Sequence, residues 1–174
     1  MNLKQYGAGL KNGTIKTSDG STYDINAIVT AEGEPQVEDI PIKGDDETKL
    51  TFYFDQREEL TIQANGLSFD VLQEITGNSY ASSASGIEIP LGTASEQNPP
   101  FVEVQAETTA KDDDGTATTI KKIWHKVQLQ TPKVTQAGEN EFNVEFAGVA
   151  YPTSDDIEGD ALTSKRVATL RVDY

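Results

Sequence analysis

A single histidine, His125, sits beside Trp124 in the stretch KKIWHKVQLQ. An imidazole can serve as a general base or a metal ligand near neutral pH, but one histidine cannot build a multi-histidine site. No serine elbow, zinc-protease helix, phosphate-binding glycine loop or dinucleotide fingerprint accompanies it. Cysteine is absent, which removes thiolate nucleophiles, thiolate metal sites and disulfides together. His125 therefore reads as a structural or interface residue that shares a strand face with Ile123, Val127 and Leu129. Trp124 reads as a packing or interface residue on the opposite face rather than a ligand platform.

The other chemistry the sequence offers is carboxylate chemistry. Asp112 to Gly115, DDDG, clusters acids beside a glycine. A calcium loop needs alternating oxygen ligands and a distal bidentate Glu, whereas these residues are contiguous, so a solvated hairpin turn is expected. The same reading covers GDDE from Gly44 and SDDIEGD from Ser154. Two carboxylates across a cleft could cleave a glycosidic bond, but acids are so abundant here that their presence selects no pair. No catalytic, cofactor-binding or metal-binding residues are assigned, and no enzymatic activity is expected.

The balance of 29 Asp and Glu against 14 Lys and Arg gives a formal net charge of -15. Such a surface repels a phosphate backbone, which disfavours nucleic-acid binding and suits either solubility or a wall past which DNA must slide. No run approaches the roughly 20 apolar residues of a membrane span, and MNLKQYGAGLKNG lacks the apolar centre of a signal peptide. Folding in a cytoplasm, away from membranes, is the expectation.

Strands must position whatever these residues do. Leu60, Ile62 and Ala64 alternate with Glu59, Thr61 and Gln63, and Leu50, Phe52 and Phe54 alternate with Thr51, Tyr53 and Asp55. Val102, Val104 and Ala106 alternate with Glu103, Gln105 and Glu107, as do Phe142, Val144 and Phe146 with Asn143 and Glu145. Ala168, Leu170, Val172 and Tyr174 share one face of a last strand. TSDGS and KDDDGT supply the turns of two hairpins. Two stretches read as long loops or arms: Ala31 to Lys49, acidic and proline-punctuated with a short strand at Val37 to Ile42, and Asn78 to Pro100.

One helix is predicted at about residues 68–76. Ser68 can cap it, Asp70 favours its first turn, and Gly77 can take the left-handed conformation that ends it. Phe69, Leu72 and Ile75 share a face, with Val71 at its edge. So short a helix must pack on a sheet to be stable. The expected fold is mainly β: residues 1–174 form one domain, a two-sheet antiparallel sandwich or barrel with one short flanking helix.

The order strand, turn, helix, Thr-Gly-Asn in ELTIQANGLSFDVLQEITGN resembles the major tail protein, or tail tube protein, of long-tailed bacteriophages with flexible tails. The likeness continues through PPFVEVQAETTAKDDDGTATTIKKIWHKVQLQTPKV, NEFNVEFAGVAYP and ATLRVDY, covering Gly44 to Tyr174. It implies hexameric rings that stack into a tube, located in the virion tail and built in the host cytoplasm. The tube would enclose a tape-measure protein, meet tail-tip and tail-terminator proteins, and pass DNA without specific binding. Glu103, Gln105, Glu107 and Glu145 are then candidates to face the lumen. Gly44, Asp45, Asp46 and Glu47 are candidates for ring stacking. A standalone β-sandwich binding module, such as a capsid decoration or adhesin-like domain, is the alternative.

Overall fold

The computed structural model describes residues 10–25, 28–44, 47–66, 69–79, 81–88, 98–111, 117–137 and 141–173. The chain is mainly β, with one helix. In order the elements are β1 (Leu10–Lys16), β2 (Thr22–Ile25), β3 (Ile28–Gly44), β4 (Glu47–Asn65), α1 (Phe69–Thr76), β5 (Ala81–Ser83) and β6 (Gly86–Glu88). There follow β7 (Phe101–Lys111), β8 (Ala117–Leu129), β9 (Lys133–Ala137), β10 (Glu141–Ala150), β11 (Thr153–Asp155), β12 (Ala161–Arg166) and β13 (Ala168–Asp173).

Nine strands form one antiparallel sheet along the path β2-β1-β7-β8-β10-β4-β3, with β13 added to β8 and β9 to β10. The sheet forks at β8. Residues 119–124 of that strand pair with β13, whereas 127–129 pair with β10. On its own free flank β10 pairs with β9 through residues 141–145. The fork lets the sheet fold into two layers, β2-β1-β7-β8-β13 and β3-β4-β10-β9, as in a sandwich. Although no ladder joins β1 to β3 among the described residues, a Cβ at Gly13 would lie 2.6 Å from Ile28 Cδ1, so β1, next to one end of the path, meets β3, at the other, over the core.

Alternation decides the core. Leu60, Ile62 and Ala64 of β4 and Val144 and Phe146 of β10 are buried, facing Ile15, Val102, Val104 and Ala106 from β1 and β7. Trp124 belongs to the same core and is fully buried, together with Val127 and Leu129. This overturns the expectation that Trp124 points away from Val127 and Leu129. Val104 pairs with Trp124 but Val102 pairs with Val127, so three steps along β8 oppose two along β7. One extra residue reverses the parity of everything beyond it.

The hairpin of β1 and β2 turns through TSDGS as expected. Gly20 has φ 85°, and the Asp19 carboxylate accepts bonds from Thr17 Oγ1 (2.6 Å) and the Ser21 amide (2.9 Å). Those two bonds hold the Asp19 carboxyl below its usual range. Lys111 pairs with Ala117 across the second expected hairpin, whose DDDG turn lies outside the described residues.

Helix α1 ends as the sequence predicts. Gly77 has φ 69° and donates its amide to Gln73 O at 2.9 Å. Thr76 Oγ1 donates to Leu72 O and accepts from the Asn78 amide. Ser68, the expected cap, lies outside the described residues. The buried face is Val71, Leu72, Ile75 and Thr76, while Phe69 is 36% exposed. Phe69 is thus corrected from packing to surface: at 100° per residue it lies about 90° from the middle of that stripe. The helix packs against β2 and β8, and Tyr23 donates its hydroxyl to Glu74.

Neither long excursion is plain loop where it is described. Residues 31–44 continue β3 as one strand, and 81–88 fold into the small β5–β6 hairpin. Pro35 and Pro41 argue against a strand in the sequence because proline is expelled from central strands. Here β3 is an edge strand with β4 on one side only, where proline is tolerated.

Candidate functional site

The β3–β4 hairpin is the most unusual element. Register runs from Ile28 opposite Ala64 to Gly44 opposite Glu47, with shifts near Ile28, Gln36 and Ile42. Strand β10 supports it only from Glu58 to Asn65. From Glu47 to Arg57 no third strand is paired to it among the described residues. That leaves an arm of two strands spanning roughly 35 Å of extended backbone. Of the expected stacking residues, Gly44 and Glu47 form the last pair of the ladder, and Asp45 and Asp46 lie outside the described residues. The Gly44–Glu47 pair is therefore the last described point of the arm.

The four residues expected to line a lumen do not share one surface. Glu103, Gln105 and Glu107 lie on the outer side of β7, and Glu145 lies on the outer side of β10, in the other layer. Alternation placed all four away from the core correctly. It could not say that their strands belong to different layers, because the fork at β8 is a long-range feature.

On β7 the acids are held by neighbouring side chains. Glu103 is only 5% exposed and binds His125 Nδ1 at 2.9 Å, while its other oxygen accepts Gln105 Nε2 at 2.9 Å. Glu107 pairs with Lys121 at 2.9 Å and accepts from Asn12 Nδ2 at 3.3 Å. A buried, hydrogen-bonded Glu103 is corrected from wall residue to strand fastener.

The outer side of β3, β4 and β10 is different. Glu32, Glu34 and Glu59 are exposed there, joined by half-buried Glu145, which accepts Gln63 Nε2 at 3.3 Å. Glu34 sits directly opposite Glu59 in the ladder. Like charges in direct register repel and are normally avoided. Lys133, opposite Glu145, and Arg57, two residues before Glu59 on β4, are basic residues on this side. Sequence reasoning missed Glu32 and Glu34 because their segment reads as loop, although Glu-x-Glu alternation from Glu32 to Glu34 was the available signal.

His125 anchors a constellation with catalytic order. An ionised carboxylate can only accept, so Nδ1 donates to Glu103 at 2.9 Å, and Nε2 lies within hydrogen-bond distance of Thr169 Oγ1, 2.7 Å away. Carboxylate, imidazole, hydroxyl is the sequence of a nucleophilic triad. However, Thr169 also accepts from Arg166 Nη1 at 3.3 Å, which draws electron density from the oxygen. It does not line the open cleft of about 430 Å³ that His125 borders with Phe101, Lys126 and Asp155 to Gly159. The relay instead ties β7, β8, β12 and β13 together.

That cleft is roofed by the β11–β12 turn. Asp156 spends one carboxylate oxygen on the amides of Glu158 (3.0 Å) and Asp160 (2.9 Å), so SDDIEGD is a self-satisfied turn, as the sequence predicts. Glu158 reaches across to Lys16, and this bond holds the Lys16 ammonium above its usual pKa. Among the described residues no group of three or more His, Asp or Glu is placed to hold a metal, and no helix is long and apolar enough to cross a membrane. Comparison with known proteins finds no family model and no curated protein that matches this chain.

Proposed function

We propose that this chain is a structural subunit that polymerises through its β3–β4 arm into stacked rings, forming the tail tube of a flexible-tailed phage. The observation that carries the reading is the two-stranded arm. An isolated two-stranded hairpin is marginal in water, so a ladder of this length needs a surface to lie on. A second copy of the chain supplies one, and a head-to-tail contact of this kind closes into rings or grows into filaments. Hexameric rings follow from the likeness to tail tube proteins, as do the tape-measure protein in the lumen and the tail-tip and terminator proteins at the ends.

The acidic outer side of β3, β4 and β10 is then the lumen wall, with Glu32, Glu34, Glu59 and Glu145 in place of Glu103 and Glu107. An excess of carboxylates repels DNA phosphates and keeps the passage free of sticking points. The work is mechanical rather than catalytic, and its place is the virion.

Removing Gly44 to Glu47 and closing the arm with a two-residue turn tests the reading. The shortened protein should unfold with the wild-type midpoint yet sediment as a single small species at concentrations where the wild type pellets. Normal polymerisation of the shortened chain would refute the arm's role. A wild type that forms only monomers or a small closed oligomer would favour a standalone binding module.

A further inference from the structure

The arm leaves the body at a defined residue. Glu58 is the last β4 position with partners on both sides, Ala150 of β10 and Pro35 of β3. Its even number puts it on the core side, in line with Leu60, Ile62 and Ala64. A carboxylate there is unexpected, because an apolar residue would complete the stripe without a desolvation cost.

The carboxylate is held by two donors from β8. Glu58 Oε2 accepts Trp124 Nε1 at 2.6 Å and Lys122 Nζ at 3.0 Å. The same ammonium lies 4.6 Å from the centre of the Trp124 ring. Trp124 is fully buried, so its N–H points in a direction fixed by core packing. On β3 the space is reserved: a Cβ on Gly33 would overlap Glu58 Oε2 and lie 3.1 Å from Trp124 Nε1. Four residues from three strands thus converge where the ladder drops from three strands to two.

We propose that Glu58, Trp124 and Lys122 form a clamp that sets the direction in which the arm leaves the body, making them positioning residues for self-association. Hydrogen bonds to a charged oxygen are short and directional, whereas an apolar contact at the same point would let the root pivot. Replacing buried polar groups by apolar ones is often harmless to stability, so the use of three polar partners here points to geometry rather than strength. The inference rests on the arm being the polymerising element.

Three variants test it. Lys122→Met changes a partly exposed residue, Trp124→Phe keeps most of the ring volume but removes the N–H, and Glu58→Gln keeps an acceptor of the same shape. Each is followed by thermal unfolding, by the concentration at which half the protein pellets, and by trypsin cleavage at the Arg57–Glu58 bond. Lys122→Met and Trp124→Phe should unfold cooperatively, need at least ten-fold more protein to polymerise, and be cut at the root at least ten-fold faster. Glu58→Gln should lie between them and the wild type.

Wild-type polymerisation and root cleavage in Lys122→Met and Trp124→Phe would overturn the clamp while leaving the arm's role intact. If the wild type itself does not polymerise, the reading of function fails. Root cleavage of the monomers then decides the clamp: a ten-fold rise supports it and an unchanged rate refutes it. Should Trp124→Phe not fold, Lys122→Met alone decides between the same two outcomes.

Discussion

Replacing Gly148 by alanine should damage the seam that joins the two layers. The added Cβ would lie 2.5 Å from Gln128 O, 2.8 Å from Leu129 Cδ2 and 3.1 Å from Leu129 Cα. Ordinary carbon contacts begin at roughly 3.5 Å, so each neighbour must retreat by several tenths of an ångström. Leu129 Cδ2 can rotate away, but Gln128 O and Leu129 Cα are backbone. They are held by a seam of only three paired positions, Gly148 with Leu129, Val149 with Gln128 and Ala150 with Val127. Overpacking typically costs about 1–3 kcal/mol, and a backbone clash at a short seam belongs at the upper end, about 3 kcal/mol.

For a chain of this size each kcal/mol moves the midpoint by roughly 2–4 °C, so Gly148→Ala should melt about 6–12 °C below wild type. Ala147→Val, on the exposed side of the same strand, is the control and should stay within about 0.5 kcal/mol. Circular dichroism melts of the three proteins measure this. A Gly148→Ala midpoint indistinguishable from wild type would mean that β8 and β10 do not meet as described, and the two-layer fold would lose its junction.

Glu34→Gln should stabilise the protein by about 0.2–1 kcal/mol in urea denaturation at low salt, because it removes one half of the Glu34–Glu59 repulsion, and the gain should shrink as salt is added. A loss of stability would show that this pair is not repulsive. Lys16 should titrate above the ordinary lysine range of about 10.4 when followed by NMR at its side chain, and Glu158→Gln should bring it back down. Since the folded value is the raised one, the hold of Lys16 on the β11–β12 turn is complete below that range and is lost as pH rises through the folded value. A Lys16 midpoint unaffected by Glu158→Gln would refute the contact.

What the sequence could reveal followed the range of its signals. Alternation and turn chemistry are local, so the buried side of Leu60, Ile62 and Ala64, the Asp19-Gly20 hairpin and the Gly77 helix end were all legible. Trp124 was assigned to the wrong side because one bulge residue reverses a period-two pattern and leaves no trace in composition. The arm was hidden by Pro35 and Pro41, which argue against a strand unless it is known to run along an edge. Glu103 and Glu145 looked equivalent until the fork at β8 put their strands in different layers. The partners of Glu58 were beyond reach, since Trp124 and Lys122 approach it only through the closure of the sheet.

Whether copies of the chain assemble with one another decides the proposed function, and electron microscopy of the concentrated, negatively stained protein answers it. Hollow filaments of uniform width built from stacked rings are expected, and they should disappear when Gly44 to Glu47 are removed. Monomers or a small closed oligomer at every concentration, with no rings or tubes, would contradict a tube-forming subunit.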